Sequence, residues 1–145
     1  MPTRKAHARW EGSLKQGKGA LDVASGAFKG AYSFASRFEG GVGTNPEELL
    51  GAAHAGCFAM ALSLVLGEAG FTPEYVDVTA EVTVMMQGKG FKITRSHLKC
   101  EARVPNIDRA AFMQHAETAK THCPVSQALA GVEITLEAML ATESR

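Results

Sequence analysis

Cysteine is scarce in this sequence, and neither sign of charge predominates. Three of the 145 residues are cysteine, and fifteen Lys and Arg balance fifteen Asp and Glu. So small and odd a cysteine count excludes a disulfide-stapled secreted scaffold. The balanced charge leaves no long-range positive field, and Lys and Arg form no block, so no nucleic acid partner is expected. Low-complexity tracts, linkers and fixed-period repeats are missing too. The basic start MPTRKAHAR leads into no apolar core of the kind a secretory signal has. The longest apolar run, Cys57 to Leu66, is about half of the ~20 residues that a bilayer span needs, so no membrane segment is expected. What is present, 46% hydrophobic and 21% charged residues, suits a globular protein with one core. The expectation is a single cytoplasmic domain over 1–145.

The first forty residues read as strands. AHARWEGSL alternates, KQGKG supplies a glycine-rich turn, and ALDVASGAFKGAYSFASRF holds further alternating runs broken by Gly26 and Gly30. EGGVG, Glu39 to Gly43, reads as a flexible joint. The period then changes. Asn45-Pro46-Glu47-Glu48 combines an N-cap residue type, proline at the first helical position and glutamate three places beyond the cap. A helix follows to Ala69, with an apolar stripe of Leu49, Ala53, Cys57, Met60 and Leu64. It is about 36 Å long at 1.5 Å per residue, and apolar or small on nearly every side, so it must be covered all round. Gly51, Ala52, Ala55, Gly56 and Ala59 permit close backbone approach, which points to a twofold homodimer with two such helices packed together. EYVDVTAEVTVMM and FKITRSHLKCEARV form a hairpin about QGKG. IDRAAFMQHAETAKTH and CPVSQALAG read as helices, and VEITLEAML closes as a strand. The order implies an α+β protein whose sheets cover a central helix.

In a reducing compartment each cysteine is packing, a metal ligand or a reactive thiol. Cys57 lies on the apolar stripe, where a free cysteine commonly packs. It is roughly 16 Å from the start of its helix, beyond the first-turn reach of the helix dipole. If Cys57 reacts, a cation must stand beside it. A guanidinium at about 4 Å, with an effective dielectric near 20, attracts a thiolate by roughly 4 kcal/mol. Cys123, in THCPVSQAL, precedes a proline suited to the first helical position and so faces unpaired backbone N–H groups. That placement also favours a thiolate, and residue physics leaves open which sulfur attacks. Arg37 and Glu39 in SRFEGG, and Glu47 at the helix start, are candidate charged partners. Each also reads as a solvated charge or a helix-dipole partner. Cys100 alternates with Leu98, Ala102 and Val104 and reads as a buried strand residue. His54, three positions before Cys57, could hydrogen-bond near it but reads first as a satisfied structural histidine. His54, Cys57, His122 and Cys123 are also the set a zinc site would use, although adjacent His122 and Cys123 make awkward paired ligands.

Together, HARWEG…GKG, SRFEGGVGTNPEELLGAAHAGCFAMALS, GEAGFTP and CPVSQAL resemble the OsmC/Ohr family of organic hydroperoxide reductases, from about Ala6 to Leu136. The RFEG…TNPEEL form looks like the OsmC branch. The resemblance implies an OsmC-like intertwined dimer, with antiparallel sheets wrapped around long central helices and the active site at the subunit interface. It implies a thiol peroxidase without metal or cofactor, active in oxidative and osmotic stress. Cys57 stands where the family has its peroxidatic cysteine and Cys123 where it has the resolving one. Arg37 matches the family arginine, and Glu47 the glutamate that orients it. A Cys57–Cys123 disulfide recycled by an external dithiol of the lipoyl type is implied as well. The substrate expected is a bulky alkyl or fatty-acid hydroperoxide, with Phe38, Phe58, Met60 and Leu62 as candidate contacts, although each taken singly reads first as core. Glu47 and Cys57 are about 15 Å apart along one straight helix, so Glu47 is expected to serve the partner's site.

Overall fold

Two features of the first strands decide how they pack: alternation along each strand, and a glycine where two aromatic rings must pass. β1 (Ala6–Glu11), β2 (Lys18–Val23) and β3 (Lys29–Tyr32) pair antiparallel in that order. Gly19 on β2 faces Trp10 on β1 and Tyr32 on β3. A Cβ there would lie 2.5 Å from the Tyr32 ring and 2.6 Å from the Trp10 ring, so only glycine lets them close to 5.3 Å. The computed structural model describes residues 2–141. Its contacts divide the chain into two compact units, Met1–Leu49 and Leu50–Arg145.

In the first unit, the run expected to end as a strand turns instead into a short helix, α1 (Phe34–Phe38). Ser33 and Ser36 form a reciprocal capping box that satisfies the orphan N–H groups and overrides the alternation of the surrounding residues. Arg37 is therefore on a helix, not at a strand end. The segment expected as a flexible joint is held in place. Gly41 N–H donates to Ala35 O at 2.8 Å, Thr44 N–H to Ala31 O at 2.9 Å, and Ser36 Oγ to Thr44 O at 2.7 Å. Gly43, with φ of 124°, passes so close to Ala31 O that a Cβ would meet it at 2.7 Å.

α2 (Pro46–Glu68) starts where its caps predict. Asn45 Oδ1 accepts the Glu48 N–H at 2.7 Å, while the Glu48 carboxylate accepts from Thr44 Oγ1 at 2.8 Å. The helix stops at Gly70, whose φ of 93° lets Phe71 N–H return to Leu66 O at 2.9 Å. By length and mean hydropathy, 1.9 over its best window, α2 is apolar enough to cross a membrane, and 28% of that window is buried within the chain. The uninterrupted run in the sequence understates this, because alanine and glycine extend the apolar character on both sides.

The second unit is a long hairpin with helices on one face. β4 (Tyr75–Gln87) and β5 (Gly90–Arg103) pair antiparallel about Gly88, with a bulge at Thr83/Val84. α3 (Arg109–His122), capped by Asp108, and α4 (Pro124–Ala128) carry the chain back to β6 (Glu133–Leu140). β6 pairs in parallel with β5, so this sheet is mixed where wholly antiparallel sheets are expected from the sequence. The core joins Phe58, Leu62 and Leu66 of α2 to Leu98, Cys100 and Ala102 of β5 and to Phe112, Ala116 and Ala119 of α3. Cys100 is 3% exposed, as its alternation predicts. The buried stripe of α2 is thus Gly51, His54, Phe58, Leu62 and Leu66, not the stripe that the sequence suggests. Met60 and Leu64 of the expected stripe are 77% and 62% exposed. Gly51, expected to admit a second helix, packs on β4: a Cβ there would lie 3.3 Å from Ala80 O.

Candidate active site

Cys57 sits on α2 beside the buried stripe, half-buried, and packs against the core cluster that includes Cys123. All three cysteines are free thiols. The Cys57 side chain is in hydrogen-bonding contact with Cys123, which is fully buried. Burial pushes the Cys57 thiol above its ordinary range, the hydrogen bond to Cys123 and that sulfur's charge push the same way, and a backbone hydrogen bond at Val125 pulls it back. Two thiols far apart in sequence therefore lie close enough for one to act on the other's proton.

The contact follows from the turn between α3 and α4. Cys123 closes α3 through its N–H to Ala119 O at 3.0 Å and opens α4 as its N-cap, with Pro124 behind it. Its Sγ accepts the Ser126 N–H at 3.5 Å. The expected N-cap placement is what the structure has.

Arg37 and Glu47 meet in the first unit. Arg37 Nε donates to both carboxylate oxygens at 3.2 Å and Nη2 to Oε2 at 2.8 Å. Glu47 is 6% exposed, so this pair is no solvated ornament of the surface. The guanidinium also lies 5.0 Å from the centre of the Phe38 ring. Around it, Trp10, Leu14, Tyr32, Ser33, Phe34 and Phe38 line a cavity of about 210 Å³. Of these the sequence singles out Phe38 alone. The others are brought together by strand register and by α1, neither of which spacing reveals. Phe58 and Leu62, candidate substrate contacts that also read as core, are fully buried core residues of the second unit.

The zinc set does not assemble. Both ring nitrogens of buried His54 are taken, Nδ1 with Ser96 Oγ at 2.7 Å and Nε2 with Ser126 Oγ at 2.8 Å. His122 Nδ1 pairs with Thr118 O of its own helix at 2.9 Å. Among the described residues no three His, Cys, Asp or Glu side chains form a group able to hold a metal.

A pair of neighbouring thiols, and a carboxylate-braced arginine beside an aromatic cavity, are the parts of a cysteine-based redox protein. Residues 38–137 match the model of the OsmC-like protein family, and the chain belongs to that family. It is 53% identical over 138 residues to Peroxiredoxin OsmC of Escherichia coli strain K12, covering 94% of this chain and 96% of that one. It is 32% identical over 99 residues to the Organic hydroperoxide resistance protein of Xanthomonas axonopodis pv. citri, covering 67% and 68%. The crystal structure of the organic hydroperoxide resistance protein OhrB of Bacillus subtilis superposes with a TM-score of 0.70 at 26% identity, over 96% of this chain and 98% of that one. One from Elizabethkingia anophelis does so with 0.75 at 25% identity, over 97% and 98%.

Proposed function

We propose that this protein is a soluble, cytoplasmic, thiol-dependent peroxidase that reduces organic hydroperoxides to alcohols. The observation that carries the reading is the Cys57–Cys123 contact in the folded chain. The Cys57 thiolate attacks the distal peroxide oxygen. The O–O bond breaks, the alcohol leaves with a proton, and Cys57 becomes a sulfenic acid. Arg37 stabilises the thiolate and the negative charge on the leaving oxygen, and Glu47 fixes the guanidinium through its forked contact. Cys123 then displaces water from the sulfenic acid to form a disulfide, which an external dithiol, of the lipoyl type, opens by exchange. The aromatic cavity beside Arg37 suits the apolar body of an alkyl or fatty-acid hydroperoxide. Hydrogen peroxide gains nothing from such walls.

The whole chain acts as one OsmC-like domain in an intertwined homodimer. The face of α2 bearing Met60 and Leu64 supports this, since it is apolar and uncovered within one chain. Arg37 and Glu47 of one subunit then serve Cys57 of the partner subunit. The test is turnover of cumene hydroperoxide with a dithiol donor. Wild type is expected to turn over, while Cys57→Ser loses at least a thousandfold in rate, on the order seen when an activated nucleophile is removed. A Cys57→Ser protein that keeps wild-type turnover would overturn the reading.

A further inference from the structure

His54 is a fully buried imidazole that the proposed chemistry leaves unused. It stands three positions before Cys57 on the same helix, so the two side chains are carried by one rigid element. Nδ1 pairs with Ser96 Oγ on β5 and Nε2 with Ser126 Oγ on α4. Ser96 is 1% and Ser126 6% exposed, so water does not compete for either contact. Ser126 in turn presents its backbone N–H to Cys123 Sγ at 3.5 Å. One unbroken path of contacts thus runs from β5 through His54 to the residue that caps on the second sulfur.

α4 has five residues, of which Ser126 is the buried one. A helix that short does not hold itself together. Backbone bonds from Cys123 to Ala119 and from Gln127 to Cys123 fix its local turn. Besides the contacts of Cys57 with Cys123 and the Val125 backbone, the Ser126 hydroxyl ties the turn to α2 through His54. Burial pushes His54 below its ordinary value and keeps the ring neutral, with one nitrogen to donate and one to accept. Two serine hydroxyls, each able to do either, complete that pattern. A leucine of similar volume would fill the space without desolvating a polar ring.

We propose that His54 is the positioning residue for the second half of the reaction, clamping the Cys123 turn to the helix that carries Cys57 through Ser126. The proposal rests on the peroxidase reading of the two cysteines. Two fates compete for the Cys57 sulfenic acid. In the productive one, Cys123 sulfur forms the S–S bond, the S–O bond breaks, and water leaves with the thiol proton. In the other, a second hydroperoxide transfers an oxygen to the same sulfur, giving a sulfinic acid and an alcohol. The first is intramolecular and depends on how often Cys123 is in place; the second depends only on peroxide concentration. A loosened α4 turn therefore shifts the product. On the first attack it removes contacts that pull the Cys57 thiol in opposite directions, Cys123 upward and the Val125 backbone downward, so that step changes far less than the partition.

The experiment compares full-length wild type, Ser126→Ala, His54→Leu and His54→Gln, pre-reduced and quenched at intervals after adding cumene hydroperoxide. Mass spectrometry reads the Cys57–Cys123 bridge and the Cys57 sulfinic acid; thermal melting is recorded alongside. Expected is a rate of Cys57 oxidation within about twofold of wild type in every variant. Bridge formation should be slower by about tenfold in Ser126→Ala and His54→Leu, the size of one lost buried hydrogen bond, with the sulfinic fraction rising to match. His54→Gln, which keeps a donor and an acceptor, should restore most of the bridging rate. Ser126→Ala is the mildest change and keeps the comparison open should His54→Leu fail to fold. Unchanged partition in Ser126→Ala overturns the clamp, and so does an equal loss in both steps that tracks melting temperature. A wild type that forms no bridge overturns the peroxidase reading itself, a result distinct from a normal wild type with indifferent variants.

Discussion

Cys57 is a poor nucleophile in its own unit, because burial and its neighbour sulfur hold the proton on. Only an added cation brings it into range at neutral pH, which is the task assigned to Arg37. Iodoacetamide labelling of Cys57 against pH should thus have a midpoint below the ordinary ~8.5 of a thiol in wild type and above it in Arg37→Met. Identical midpoints would deny Arg37 that role. Cys100 offers a test that chemistry does not confuse. Burial, then the charges of Asp77 and Glu101, push its thiol up to about 11. The folded state holds this proton more tightly than the unfolded chain. Its contribution is whole below the unfolded value and is lost as pH rises through about 11. Urea unfolding should show wild type losing about 2 kcal/mol more than Cys100→Ala between neutral pH and that point, the size of a shift of this order. Cys100 was legible in the sequence because its strand alternates. His54 was legible as a satisfied structural histidine, but its two partners were not, since they come from β5 and α4, elements that only tertiary packing brings to it.

At the scale of elements, ends were legible and faces were not. Asn45, Pro46 and Gly70 mark the ends of α2 by local backbone chemistry, which needs no partner. Its buried face could not be read, because a helix apolar on every side has no periodic contrast, and β4, β5 and α3 make the choice. α1 was hidden for the opposite reason: two serines three apart outweigh a run of alternating residues. The faces differ in consequence. Phe58→Ala, which empties a fully buried site, should cost about 3–5 kcal/mol in chemical denaturation. Met60→Glu, on the open face, should leave that unit folded by circular dichroism while converting the proposed dimer to monomer in sedimentation. A stable dimer of Met60→Glu would place the subunit contact elsewhere.

The proposed mechanism needs the braced arginine at a thiol, and α2 separates Glu47 from Cys57 by about 15 Å along its axis. In the proposed dimer, exchange between subunits resolves this. A hybrid of one Cys57→Ser chain and one Glu47→Gln chain should keep up to half of wild-type turnover, because one site then loses both groups and the other keeps both. A fully inactive hybrid would contradict the crossed arrangement. The central claim is simpler still: a sulfur on α2 and a sulfur at the start of α4 are one redox pair. Peptide mapping by mass spectrometry, after one equivalent of cumene hydroperoxide per reduced chain, tests it most directly. The account predicts a Cys57–Cys123 bridge in most chains with Cys100 still a thiol; Cys57 and Cys123 both recovered reduced, or bridged to Cys100 instead, would contradict it.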